Sequence, residues 1–185
     1  KQMSTKTLRK RIALVAVVAL GFGVVSVAPS NATVISDSIT LSASTTTITT
    51  GSTASVTITT AGYFGATSDS ITSVVSLTTY PTAATAAQIG TAITTIALAA
   101  TDTTTAYTGG SAGGSNQSVS GATLVVGLDG NAAKLVSTRT KLSVAPTLVG
   151  TYTYKITPTI ATNGGVSALP QTWTVVVVAK APATV

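Results

Sequence analysis

The chain lacks the residue types on which most enzyme active sites depend. It contains no Cys, no His and no Glu, so neither a thiol nor an imidazole is present to exchange protons or attack a substrate near neutral pH. A Ser–His–Asp arrangement cannot form, no disulfide can staple the fold, and a lipid-modified N-terminal Cys is excluded. The composition therefore predicts a protein that is not an enzyme and that binds no cofactor.

Charged residues are also scarce, and their excess of positive charge is concentrated at the N-terminus. The chain has 10 Lys and Arg against 4 Asp. The cations from Thr33 onward are Lys134, Arg139, Lys141, Lys155 and Lys180. Against the four Asp they leave a net charge of 5 − 4 = +1. They are scattered rather than interleaved with a set of stacking aromatics, so the pattern excludes a nucleic-acid partner.

The first 32 residues have the three parts of a secretory signal peptide. A basic head precedes the apolar run Ile12–Val27, and small residues follow in Pro29–Ala32. This pattern predicts a signal-peptide helix over residues 1–32, cleaved between Ala32 and Thr33. The run is shorter than the ~20 residues that usually cross a bilayer, and an uncleaved anchor is the alternative. We expect a secreted, cell-surface-associated protein that meets the membrane only through its signal peptide during export.

Threonine dominates what remains. Between Thr33 and Val185, 37 of 153 residues are Thr and 17 are Ser. Thr is β-branched and suits a pleated, half-buried surface. A disordered Ser/Thr stalk would be rich in Pro, but the chain has only 6 Pro and a clear hydrophobic rhythm, which favours an all-β domain.

Apolar residues at every second position predict strands that each bury one face. The segments with this alternation are Ile39–Leu41, Ala54–Ile58, Ile71–Leu77, Leu124–Leu128, Val136–Val144, Tyr152–Ile156 and Trp173–Val177. In the fifth segment Arg139 and Lys141 point away from the apolar face, so we expect them to be solvated. Seven or more short strands without βα alternation predict an antiparallel β-sandwich over residues 33–180.

The stretch from 82 to 118 does not follow this rhythm. Ala83–Ile89 is compatible with one or two helical turns, Ile93–Ala99 with helix or strand, and Gly109–Ser115 with a flexible loop. We interpret 82–118 as a long insertion or crossover within one domain. Two subdomains that divide near residue 115 are the alternative.

One motif resembles a known family. The segment Leu148–Ile156, with its Gly-x-Tyr-x-Tyr pattern at Gly150–Tyr154, resembles the penultimate strand of bacterial immunoglobulin-like surface domains. The resemblance implies an immunoglobulin-like β-sandwich in which Tyr152 forms a tyrosine corner, its hydroxyl bonded to backbone upstream. It also implies a last strand at 172–179 and an Ala/Pro linker at 181–185.

The same resemblance, taken with the signal peptide, implies a function. The chain would be a non-catalytic structural or adhesive module of an exported bacterial cell-surface protein, of the adhesin or S-layer type. Its partners would be other surface-protein domains or subunits, and glycans. The alternative is a secreted glycan- or ligand-binding module that uses loop aromatics.

Few aromatic residues are present, and five of them are candidate ligand contacts. Tyr63 and Phe64 lie between two glycines and are predicted to contact a ligand from an exposed loop. Tyr152, Tyr154 and Trp173 could form a sugar-binding face, but a domain with so few large residues is expected to place them in its core.

The remaining polar motifs favour structural roles. All four Asp lie beside Ser, Thr or Gly at strand ends and are predicted to cap turns. Asp129 and Asn131 form the only local cluster of hard oxygen ligands, but a hairpin turn explains them better because the carboxylate run of a calcium loop is missing. Leu169–Trp173 is similar to a sortase signal with Trp173 in place of Gly, and entry into a strand is the preferred interpretation.

Overall fold

Ten strands and one short helix make up the part of the chain that the structure, a computed structural model, describes. This part comprises residues 34–66, 68–101, 115–128, 134–161 and 167–181 and falls in a single compact unit. The elements are β1 (Ile35–Leu41), β2 (Thr45–Thr49), β3 (Ala54–Phe64), β4 (Ser70–Thr79), α1 (Ala86–Thr94), β5 (Ala97–Ala100), β6 (Ser115–Ser120), β7 (Thr123–Leu128), β8 (Lys134–Val144), β9 (Gly150–Ala161) and β10 (Gln171–Val178). The predicted all-β class is confirmed. The predicted signal peptide and its cleavage site at Ala32–Thr33 lie outside the described ranges, within which no helix is long and apolar enough to span a bilayer.

The strands form two sheets. The four-stranded sheet has the order β1-β3-β8-β5, and the six-stranded sheet has the order β2-β10-β9-β4-β7-β6. Every pair is antiparallel except β2 with β10, which is parallel. A purely antiparallel arrangement was therefore the wrong prediction. The physical reason is that the chain crosses between the sheets right after β1, where the Thr174 amide donates to the Ser44 carbonyl at 2.8 Å.

Both sheets contribute to the same apolar interior. The larger core cluster joins Ile58 and Leu142 of the four-stranded sheet to Tyr154 and Trp173 of the six-stranded sheet. A smaller cluster comprises Val34, Phe64, Ile71, Leu124, Val126 and Val136. Strand β3 alternates buried and more exposed positions along its whole length, as the two-residue period of a half-buried strand requires.

Tyr152 forms the tyrosine corner that the sequence predicted. Its side chain is fully buried, and its hydroxyl donates to the Leu148 carbonyl at 3.1 Å. The next inward residue, Tyr154, donates to the Ala92 carbonyl at 3.2 Å. Burial raises the pKa of both phenols, so both hydroxyls remain protonated donors.

Removing the corner hydroxyl is expected to destabilise the protein modestly. Tyr152→Phe keeps the ring but deletes the bond to Leu148, and we expect the free energy of unfolding to fall by about 0.5–1.5 kcal/mol. Urea denaturation of the full chain measures this as a lower midpoint with an unchanged m-value. Tyr80→Phe is the control, because the Tyr80 side chain is 44% exposed. Equal effects of the two substitutions would mean that the corner bond contributes nothing.

The segment 82–118 supplies parts of the folded core. Helix α1 begins with a capping box in which the Thr85 amide donates to Gln88 Oε1 at 2.9 Å and the Gln88 amide donates back to Thr85 Oγ1 at 3.4 Å. Ala92 of this helix is buried. Strand β5 then pairs with β8 and strand β6 with β7, so the segment extends both sheets.

Candidate functional site

Tyr63 and Phe64, which were predicted to contact a ligand from a loop, lie on a strand. Both residues are at the end of β3, where successive side chains point to opposite faces. Phe64 is fully buried in the smaller cluster, whereas Tyr63 is 40% exposed. The prediction that Phe64 contacts a ligand is therefore wrong, and Tyr63 remains only as an isolated exposed ring.

Of the two described Asp residues, Asp69 caps a turn, as predicted, whereas Asp37 lies within β1 and bonds to a distant segment, so the predicted turn cap is wrong for Asp37. Asp69 is buried, and its Oδ2 accepts the amides of Gly65 at 2.8 Å and Ala66 at 2.9 Å. Asp37 accepts the amide of Ala168. Asp102, Asp129 and Asn131 lie outside the described residues. Within the described ranges, no group of three or more His, Cys, Asp or Glu could hold a metal ion.

The aromatic candidates for a sugar-binding face are core residues. Tyr152, Tyr154 and Trp173 are fully buried, which confirms the prediction that they belong to the core. The motif that is similar to a sortase signal leads into β10: Leu169 is 80% exposed, the strand begins at Gln171, and Trp173 points inward.

A concave site that the sequence did not predict lies on the outer face of the four-stranded sheet. We call it the basic depression; it has a volume of about 420 Å³, within the usual range of small-ligand sites. Its lining residues are Ser42, Ser55, Val56, Thr57, Thr101, Arg139 and Lys141. The site thus combines two cations with four hydroxyl groups.

The floor of the depression is set by the register between β3 and β8. Thr57 lies directly opposite Lys141, and Ser55 lies opposite Ser143. Arg139 and Lys141 are two positions apart on β8 and therefore emerge on the same face, about 6.6 Å apart along the strand. Adjacent strands lie about 4.8 Å apart, so the hydroxyls of β3 stand beside both cations.

Backbone hydrogen bonds fix both rims to this floor. On one side the Ser42 amide donates to the Thr57 carbonyl at 2.9 Å, and the Thr57 amide donates to Ser42 Oγ at 3.0 Å. This leaves the Ser42 hydroxyl proton available to a ligand. On the other side the Thr101 amide donates to the Arg139 carbonyl at 3.2 Å. The donors are therefore held in place before a ligand arrives.

The electrostatics of the depression are uncompensated within the described residues. Arg139 and Lys141 are both exposed, and neither described carboxylate lines the site, since Asp37 and Asp69 accept backbone amides elsewhere. Two like charges on neighbouring outward positions repel each other. An anion between them would relieve that repulsion and accept hydrogen bonds from the surrounding hydroxyls.

The sequence predicted part of this site. The alternation on β8 correctly predicted that both cations are exposed, but it treated them as simply solvated. The missing information is the pairing register and the crossings at Ser42 and Thr101, which bring hydroxyl groups from separate strands to the cations. The outward Ser and Thr positions of β3 were the one signal in the sequence that could have suggested a shared polar face.

Comparison with known proteins adds little. No protein-family model matches the chain, and no curated protein matches it. Among solved structures, the chain is similar to one described as "AvmM Catalyzes Macrocyclization in Alchivemycin A Biosynthesis", with a TM-score of 0.35 and 7% sequence identity. The match covers 84% of this chain and 95% of that one.

This comparison corrects the predicted function. The structure it finds is described as a macrocyclization catalyst, and nothing in it supports a structural or adhesive module of a bacterial surface protein. On this finding, that prediction is wrong. With a TM-score of 0.35, the likeness also transfers no activity to this chain.

Proposed function

We propose that the chain is a binding domain for an oxyanion, the phosphate, sulfate or carboxylate group of a small ligand, at the basic depression. The observation that carries the proposal is the placement of Arg139 and Lys141 in one depression with four hydroxyl-bearing residues and no described carboxylate. Such a site offers charge and hydrogen bonds together, which is what an oxyanion requires.

The two cations have different parts in this proposal. The planar guanidinium of Arg139 matches two oxygens of an oxyanion at once, and the Lys141 ammonium adds a compact positive charge. The hydroxyls of Ser42, Ser55 and Thr57 donate to the remaining oxygens. The lining contains no pair of groups that exchange protons near neutral pH, so the proposed role is binding without chemistry.

The proposal also includes an immunoglobulin-like sandwich as the fold and export from the cell. The order β1-β3-β8-β5 corresponds to strands A-B-E-D of an immunoglobulin-like sandwich, and β10-β9-β4 corresponds to G-F-C. The hairpin of β6 and β7, added beside β4, departs from that order. Export is included because the leader at residues 1–32 is typical of a signal peptide.

An anion titration tests the proposed site. Backbone amide resonances of the full chain are followed by NMR while phosphate or sulfate is added at constant ionic strength, with chloride as the reference. We expect saturating shifts centred on Thr57 and Arg139, with a dissociation constant on the order of 1 mM. Arg139→Ala with Lys141→Ala should weaken binding roughly 5- to 30-fold, the equivalent of about 1–2 kcal/mol from two exposed charge contacts.

A cation on the other sheet provides the matched control. Lys155 is on the outer face of the six-stranded sheet, opposite Ser76 and Thr172 on its neighbouring strands. Two sheets and their side chains separate it from the depression, more than the ~10 Å Debye length. Lys155→Ala should leave the affinity within about twofold. If it weakens binding as much as the double substitution, or if the unmodified chain shows no saturating shift, the proposed site is wrong.

A further inference from the structure

A band of polar side chains crosses the interior between the two apolar clusters. On β3, Thr60 lies between Ile58 of the larger cluster and Phe64 of the smaller one. On β4, Ser73 lies between Val75 and Ile71 in the same way. On β8, Thr138 and Thr140 separate Leu142 from Val136. All four polar residues are buried. The same interruption on three strands makes the band a continuous feature of both sheets.

The register brings these groups together. Thr60 and Thr138 are direct neighbours across β3 and β8. An ideal Cβ on Gly62 would lie 3.2 Å from Ile71 Cδ1 of the other sheet, so Gly62 faces Ile71. The next inward-facing residues toward the larger cluster are Thr60 on β3 and Ser73 on β4. These two residues therefore face each other across the interior. Gln117 lies on the edge strand β6 of the six-stranded sheet, and its side-chain Nε2 donates to Thr140 Oγ1. The band therefore joins both sheets through polar groups.

Most of these polar atoms have no hydrogen-bond partner in the protein. Thr60 Oγ1, Thr138 Oγ1, Ser73 Oγ and Gln117 Oε1 are buried and unpaired. A buried polar atom left without a partner destabilises the fold by about 1–3 kcal/mol. Four such atoms in one band would remove a large part of the stability of a domain of this size.

We propose that the band binds ordered internal water, held by the hydroxyls of Thr60, Ser73 and Thr138 and by Gln117 Oε1. Buried waters characteristically make about three hydrogen bonds to protein groups that otherwise lack partners, and the band offers at least that many from two sheets. The site takes a small neutral hydrogen-bonding molecule, because no charged side chain is among the groups that line it.

The sign of one stability change tests the proposal. Val has nearly the shape of Thr without the hydroxyl. If water bridges the hydroxyls, Thr60→Val with Thr138→Val breaks its hydrogen bonds, and we expect the Tm of the full chain to fall by roughly 2–4 °C for each hydroxyl. If the band is dry, the same substitutions remove two unpaired polar atoms, and the Tm rises.

A control and a direct observation complete the test. Thr157→Val changes a Thr on the outer face of β9 and should move the Tm by less than about 2 °C. A high-resolution crystal structure should contain water within hydrogen-bond distance of Thr60 Oγ1 or Thr138 Oγ1. A higher Tm for the double variant, or no density beside either hydroxyl, overturns the proposal.

Discussion

Trp173→Ala is expected to lower the free energy of unfolding by about 3–5 kcal/mol, the usual range for truncating a large buried aromatic side chain. Trp173 is fully buried and is among the largest side chains in the core. Its ring centroid lies 5.9 Å from that of Tyr154, tilted by 39°, and its Nε1 donates to Thr46 Oγ1 at 3.0 Å. The substitution therefore opens a cavity, removes an aromatic pair and breaks a bond that ties β10 to β2.

Urea denaturation followed by circular dichroism measures the loss. Trp173→Phe separates its parts, because Phe retains most of the apolar volume and the aromatic contact but cannot donate to Thr46. We expect it to lose less than half as much stability as Trp173→Ala. Leu169→Ala is the surface control, since Leu169 is 80% exposed; its effect should stay within about 0.5 kcal/mol. If the free energy of unfolding of Trp173→Ala differs from that of the unmodified chain by less than about 0.5 kcal/mol, the core does not depend on this ring.

The strands that the sequence predicted share one property: each buries one face in a continuous two-residue rhythm. Strand β9 is the clearest case, since Tyr152, Tyr154 and Ile156 point inward while Thr153 and Lys155 point outward. The hydrophobic effect favours only one register for such a strand. Its position can therefore be predicted from the sequence without knowledge of its neighbours.

The strand that the sequence left open between helix and strand, β5, and the strand that it did not predict, β6, both lack that rhythm. Strand β5 has four residues and no fully buried side chain, and β6 is polar along most of its length. Both are held by pairing with β8 and β7, a long-range interaction that local pattern does not encode. Phe64 was misjudged for a related reason: its flanking glycines suggested a loop, but β3 continues through Gly62 with the same alternation.

The candidate site was less predictable than the fold. Exposure of Arg139 and Lys141 follows from the pattern of β8 alone. Their grouping with Ser42, Thr57 and Thr101 depends on three separate strands and two crossings. The alternation already places Thr60 and Thr138 on the inward faces of their strands, but only the pairing register shows that these hydroxyls meet in one band.

Gly150 is a position where the backbone and a close contact both require glycine. Its φ is +140°, a conformation almost restricted to glycine. An ideal Cβ there would lie 2.5 Å from Pro81 Cγ and 3.0 Å from Pro81 Cβ. The Pro81 ring has no rotatable side chain with which to move away. Gly150→Ala is therefore expected to lower the free energy of unfolding by about 2–6 kcal/mol, from backbone strain of about 1–3 kcal/mol and overpacking of about 1–3 kcal/mol.

A second glycine separates these two causes. Gly51 also has a positive φ, +84°, but an added Cβ would meet nothing within 4 Å, so Gly51→Ala reports backbone strain of about 1–2 kcal/mol. The excess loss in Gly150→Ala measures the clash with Pro81. In a Pro81→Ala background the Cγ contact is absent, and Gly150→Ala should then lose distinctly less stability, which a double-mutant cycle in urea detects as coupling of at least about 0.5 kcal/mol. Equal losses for the two glycine substitutions, with no coupling to Pro81, would mean that the close approach of β9 to Pro81 is not what selects glycine here.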